Sequence, residues 1–149
     1  MPTIDDCDLF PHDRQPALRI VPMPADTNAN GHIFGGWIMS QMDIAGSIAA
    51  VEYANSRVVT VAVTSMEFHK PVFVGDLISC FAEIQKVGTT SITVKVEVFA
   101  QRSRDQDIQY IKVTEAVIVY VSVHPDGSPN PLPKRNAQFG ALPKMPEGG

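Results

Sequence analysis

Apolar and polar positions along the chain fall into three regimes. In the second half they alternate: Ile92, Val94, Val96 and Val98 sit two apart with polar residues between them, as on a strand with one buried face. This period predicts a strand at Thr90–Gln101; Leu77–Val87 and Gln109–Val123 read as the strands on either side, with a turn at Gly88 and a charged hairpin tip over Arg102–Asp107. Arg57–Phe68 is long and β-branched and reads as a central strand; Ala17–Val21 is a short one, closed by Pro22 and Pro24. Trp37–Ala54 has a different character. It contains no Pro, its one internal Gly is Gly46, and it is apolar nearly all round, so it reads as a centrally buried helix about 27 Å long. The two ends form the third regime. Residues 1–16 are acidic and Pro-containing, residues 124–149 are rich in Pro, Gly and Asn, and neither carries a period.

The order is strand, long helix, then four strands joined by short turns. Parallel neighbours need a crossover of about a dozen residues or more, so these strands must pair antiparallel. One apolar helix and one antiparallel five-stranded sheet make a two-layer α+β domain over residues 17–123, with the sheet wrapped around the helix. Ala45, Gly46, Ala49 and Ala50 let that helix lie close to the strands. The expected organisation is a disordered N-terminal arm over residues 1–16, that domain, and an extended C-terminal tail over 124–149.

One residue breaks the helix pattern. Asp43 stands in the middle of the apolar run with no basic residue within four positions, and a carboxylate there is costly without a partner or a task. It could also simply turn to solvent. Upstream, Asp26 to Gly31 is a polar, turn-forming loop, and Gly35-Gly36 permits close backbone approach just where the helix begins. His32 and His69 are loop histidines with no carboxylate at a fixed offset and read as structural or solvated. Met23, Met39, Met42 and Met66 read as core or pocket lining.

Composition narrows the function classes. A net charge of −4 gives no basic face for general nucleic-acid binding. The N-terminal stretch lacks the apolar core of a signal peptide, and no apolar run approaches the ~20 residues of a membrane span. Cys7 and Cys80 are far apart and without metal-type spacing, which suits thiols in a reducing cytoplasm. No His, Cys and carboxylate cluster has ligand spacing, so no metal is expected.

The run Met23 to Gly46 (Met-Pro-Ala-Asp-Thr-Asn-Ala-Asn-Gly-His-Ile-Phe-Gly-Gly-Trp-Ile-Met-Ser-Gln-Met-Asp-Ile-Ala-Gly) resembles the hot-dog-fold acyl-CoA thioesterases, most closely their YciA type. The likeness continues through Arg57-Val-Val-Thr, Lys70-Pro-Val-Phe-Val-Gly-Asp76, Val87-Gly-Thr-Thr-Ser91 and Lys112-Val-Thr-Glu-Ala116. It implies a hot-dog fold, hydrolysis of acyl-CoA to free acid and coenzyme A, no cofactor, and a homodimer or higher dimer-based oligomer, a hexamer among them. It also implies that Asn28, in the loop before the helix, and Asp43 act together across a dimer interface.

Elementary chemistry agrees with that assignment. A thioester carbonyl needs donors for its developing oxyanion, and the open N–H groups at a helix start around Gly35 and Gly36 are such donors. Asp43 would activate a water or attack directly, and Asn28 would position the water or the thioester oxygen. Coenzyme A brings several phosphate charges to an acidic chain, so its binding has to rest on local groups. Arg57, Lys70, Lys86, Lys112, Lys134 and Arg135 are the basic candidates. The turn Gly88-Thr89-Thr90-Ser91 offers hydroxyls and close approach, although its residues equally suit an ordinary β-turn. The alternatives are a hot-dog hydratase or dehydratase, which needs a His beside the helix carboxylate, and a non-catalytic acyl-CoA sensor, which would usually carry a DNA-binding module.

Overall fold

The computed structural model describes residues 6–133. In chain order the elements are β1 (Leu18–Ile20), α1 (Gly35–Ala54), β2 (Arg57–Phe68), β3 (Leu77–Val87), β4 (Ser91–Arg104) and β5 (Asp107–Val123), with a single 3-10 turn at Pro24–Asp26. The strands form one sheet in the order β1-β3-β4-β5-β2, antiparallel throughout. Together with α1 this is the α+β hot-dog arrangement expected from the sequence.

The core lies between α1 and the concave face of the sheet. Ile92, Val94, Val96 and Val98 of β4 and Ala116, Ile118 and Tyr120 of β5 meet Ile38, Met42, Ala45 and Ala50 of α1. A fully buried aliphatic side chain of this size contributes roughly 1.5–3 kcal/mol, so this one layer dominates the favourable side of folding. The helix ends where Asn55 takes a left-handed conformation (φ 50°) and its N–H caps back to Val51 O.

Apart from one-residue trims at the two ends of β1 and at the start of β4, the elements differ from the sequence expectation in four places. The helix begins at Gly35 rather than Trp37, because the two glycines themselves adopt its first turn. β4 runs on to Arg104 and β5 starts at Asp107, so the hairpin tip shrinks to Asp105 and Gln106, both at positive φ (50° and 69°). β2 is not central: it ends the sheet, paired only with β5. Its β-branched content covers two faces, and both are largely open; Val59, Val61 and Val63 are 43%, 54% and 47% exposed.

The fourth difference is the described part of the N-terminal arm, which folds against the convex face of the sheet. The Asp6 N–H donates to Tyr110 O at 2.7 Å, and the Asp6 carboxylate accepts the Lys112 N–H at 2.7 Å. Phe10 sets its ring edge-on to Phe81 and Phe99, both 5.3 Å away. The cause is the apolar convex surface of Phe81, Phe99 and Tyr110, which an acidic arm with one well-placed Phe can cover. At the other end, the Asn130 and Leu132 N–H groups donate to Ser122 O and Thr89 O at 2.8 Å, so the start of the tail returns along the β3–β4 turn. Lys134 and Arg135 lie outside the described residues.

Candidate active site

The loop before α1 is built around one side chain. Asn28 Oδ1 accepts the Asn30 N–H at 2.9 Å and the His32 N–H at 3.1 Å, while its own backbone N–H donates to His32 O at 2.7 Å. Gly31, at φ +81°, makes the tight return possible. Two backbone donors fix which way the carboxamide points, so its oxygen is spent inside the loop. The Asn28 NH2 group is left as a donor with no partner among the described residues. The loop is fastened in turn by the Ile33 N–H to Val72 O at 2.9 Å and by His32 edge-on to Phe73 at 5.0 Å.

At the helix start, Phe34 offers no side-chain cap. The Trp37 and Ile38 N–H groups turn back to Phe34 O. Those of Gly35 and Gly36 meet no acceptor among the described residues, and both glycines are exposed. Free N–H groups on the positive end of a helix dipole suit an anionic oxygen.

Asp43 stands two turns further along, half-buried, facing the edge strand. Thr60 of β2 donates its hydroxyl to Asp43 Oδ1 at 2.6 Å. The Tyr120 hydroxyl, from β5, lies 2.8 Å from the Asp43 carbonyl oxygen and 3.1 Å from the same Oδ1. Oδ2 has no donor among the described residues. Burial, and then the Asp43 charge, push the Tyr120 phenol far above its ordinary range, so it remains a protonated donor. No His side chain contacts Asp43 among the described residues, as the hydratase alternative would require.

Within one chain the sequence-derived candidates do not form one cluster. Asn28, Gly35 and Gly36 sit at the N-terminal end of α1, where Gly35 lies against Phe68 at the far end of β2. Arg57, Lys86, Gly88, Thr89, Thr90 and Ser91 gather at the opposite end of the sheet, as the pairings Arg57 with Val123 and Ser91 with Val121 require. The turn closes through the Gly88 N–H to Ser91 O at 2.8 Å, and a Cβ on Gly88 would run into the Ser91 hydroxyl. Thr89 O already holds the Leu132 N–H, so its side chain rather than its carbonyl is available. Lys112 is engaged by Glu97 at 3.1 Å and Glu115 at 3.2 Å on the convex face, away from both groups.

The sequence spacing foresaw no metal ligands, yet Glu67, His69 and Glu115 bring their ligating atoms within 4.8 Å of one another. They too lie on the convex face, and the Lys112 and Lys95 ammonium groups, 3.2 Å and 3.8 Å from Glu115, already supply its positive partners. Sequence reasoning missed Thr60 and Tyr120. The one available signal was Gly46, a mid-helix glycine three residues after Asp43 and therefore on the same face.

Residues 30–105 match the family model described as the thioesterase superfamily. The chain is 56% identical over 117 residues to the acyl-CoA thioester hydrolase YciA of Salmonella typhimurium, an alignment that spans 78% of this chain and 88% of that one. Among solved structures it is similar to a hexameric hot-dog-fold thioesterase of Campylobacter jejuni, with a TM-score of 0.79 and 51% identity, covering 82% of this chain and 92% of the other. It is also similar to a hexameric thioesterase from Yersinia pestis, with a TM-score of 0.77 and 52% identity, covering 80% and 97%. A sheet wrapped on one helix, a carboxylate in the middle of that helix and relatives of this identity agree: the chain belongs to the thioesterase superfamily and has its hot-dog fold.

Proposed function

We propose that this protein hydrolyses acyl-CoA thioesters to free acid and coenzyme A, with Asp43 as general base and Asn28, Gly35 and Gly36 as donors to the thioester oxygen. The observation that carries this reading is the Asp43 carboxylate, tied at Oδ1 and unengaged at Oδ2, in the middle of an otherwise apolar helix. A water on Oδ2 gives up its proton there as its oxygen bonds to the carbonyl carbon. The oxyanion is held by the helix-start N–H groups and the Asn28 NH2. On collapse the C–S bond breaks, and the coenzyme A thiolate departs with the proton from Asp43. A short side chain held by Thr60 and Tyr120 has little reach, which favours a water as the moving part. No cofactor enters this scheme.

The site is shared between two copies of the chain. Gly36 and Asp43 are seven residues apart on α1, about 10 Å along its axis, whereas reacting atoms must come within about 3–3.5 Å. Two antiparallel helices across a two-fold axis set one chain's Asn28 and Gly36 opposite its partner's Asp43. The same operation brings the partner's Arg57 and Gly88–Ser91 end towards the helix start, which lets those residues and Lys86 hold the phosphate-bearing part of coenzyme A. The open edge of β2 suits that pairing. A hexamer of three such dimers follows the two structural relatives described above, and the thiols fit a cytoplasmic setting.

Free thiol release from a series of acyl-CoAs of graded length is the direct assay. Asp43→Asn, which is isosteric, should lower turnover by at least about 10²-fold in a folded protein. Undiminished turnover would remove Asp43 from the reaction. Mixing and refolding Asn28→Ala with Asp43→Ala should restore about a quarter of the activity, since half the dimers are mixed and each mixed dimer has one intact site. Mixed dimers that stay inactive would show that both residues come from one chain. Single turnover in 18O-labelled water should place the label in the acid; unlabelled acid would mean attack by Asp43 itself.

A further inference from the structure

We propose that Tyr120 is a positioning residue for Asp43: its hydroxyl, admitted by the missing Cβ of Gly46, ties down Oδ1 and so leaves Oδ2 as the oxygen that takes the proton from water. The inference rests on the reading of Asp43 as the reacting carboxylate and adds to it which oxygen reacts and what selects it.

Two otherwise unfavourable features explain each other here. A glycine in the middle of a helix weakens it, because Gly loses more backbone freedom than any other residue. A fully buried phenol is costly unless its hydroxyl is bonded. In this structure a Cβ added at Gly46 would collide with the Tyr120 hydroxyl and lie 3.0 Å from two of its ring carbons. Removing that Cβ lets the hydroxyl reach α1 between Asp43 and Gly46, where it meets both the Asp43 carbonyl oxygen and Oδ1.

A carboxylate has about four acceptor positions, two on each oxygen. Thr60, from β2, donates to Oδ1 at 2.6 Å; the single Tyr120 proton, from β5, is shared between the Asp43 carbonyl oxygen at 2.8 Å and Oδ1 at 3.1 Å, and no donor among the described residues aims at Oδ2. The two donors are unequal. Thr60 sits on an edge strand and is exposed in the single chain, whereas Tyr120 is fully buried in the core, paired with Ile92 of β4 and lying against Gly46 of α1. A ring clamped in the core holds its hydroxyl in a fixed place relative to the helix backbone. Through that hydroxyl the sheet sets the side-chain torsion of Asp43, which packing alone leaves loose for so short a side chain.

The test uses the assembled enzyme and three variants, Tyr120→Phe, Gly46→Ala and the double change, with kcat and KM measured separately. Tyr120→Phe keeps the ring and should lower kcat about tenfold with KM within about twofold. Gly46→Ala displaces the hydroxyl from the other side and should give a comparable loss. In the Tyr120→Phe background the hydroxyl clash is gone and only the tight contact with the ring carbons remains, so Gly46→Ala should lower kcat by less than it does in the wild type. A folded Tyr120→Phe enzyme that is less heat-stable but turns over normally would overturn the proposal, and so would losses that multiply in the double variant. Asp43→Asn is run beside them. If it stays active, the reading of the reaction fails. If it is inactive while Tyr120→Phe is normal, only the positioning role fails.

Discussion

The loop that carries Phe73 is pinned by one ion pair, and its removal has a calculable cost. Arg102 donates from Nε to Asp76 Oδ1 and from a terminal nitrogen to Oδ2, both at 2.8 Å, in a fork-to-fork arrangement. The Phe73 N–H adds a third bond to Oδ2 at 3.0 Å, and the guanidinium carbon lies 4.7 Å from the centre of the Phe73 ring. The Asp76 side chain is 2% exposed and that of Arg102 25%. Arg102→Met therefore leaves a carboxylate out of water with one donor instead of three. Breaking a buried pair from one side costs about 3–5 kcal/mol, and the partial exposure of Arg102 lowers the expectation to about 2–4 kcal/mol. In urea titration at fixed protomer concentration this should appear as a midpoint about 1–2 M lower with an unchanged slope. Asp76→Asn/Arg102→Met removes the stranded charge and should be more stable than Arg102→Met alone. The reasoning fails if Arg102→Met loses less than about 1 kcal/mol, or if adding Asp76→Asn makes matters worse.

Two further predictions concern pH and the hairpin tip. Burial pushes the Cys80 thiol from 9.0 up to about 12, so above 9.0 unfolding releases a proton that the folded chain keeps. The unfolded state then binds fewer protons, and stability should fall as pH climbs from 9.0 towards about 12; thermal midpoints of the wild type and Cys80→Ala across that range should converge. Gln106 adopts φ 69° in a two-residue turn; Gln106→Gly removes left-handed strain and should raise stability by about 0.5–1 kcal/mol in the same urea assay, and an unchanged midpoint would mean the turn is relaxed.

Much of this was legible before any coordinates. Alternation in β4 marked its inner face, and the short turns implied the antiparallel order. Asp43 drew notice because an isolated charge in an apolar helix violates burial energetics. What could not be read was tertiary. Strand order depends on which edges meet across the chain, so β2, rich in valine on both faces, looked central while standing at the edge. Thr60 and Tyr120 lie 17 and 77 residues from Asp43, beyond any local period. The arm over residues 6–16 looked like solvent-exposed chain because its one decisive contact, Phe10 on Phe81 and Phe99, leaves no periodic trace.

The exposed valines of β2 also bear on how this protein fails. Val-Val-Thr-Val-Ala-Val-Thr is uncharged, free of Pro and Gly, and strongly β-forming, with Arg57 and Glu67 guarding only its ends. In the dimer proposed above β2 is the pairing edge, so a protomer released from it by dilution or heat presents that segment with its backbone donors and acceptors on one side unpaired. Substitutions that loosen association should thus be lost to insoluble material faster than their effect on unfolding predicts. A charged side chain placed at Val61 would trade assembly for solubility of the lone subunit, and the yield of soluble chain at low expression would report that exchange.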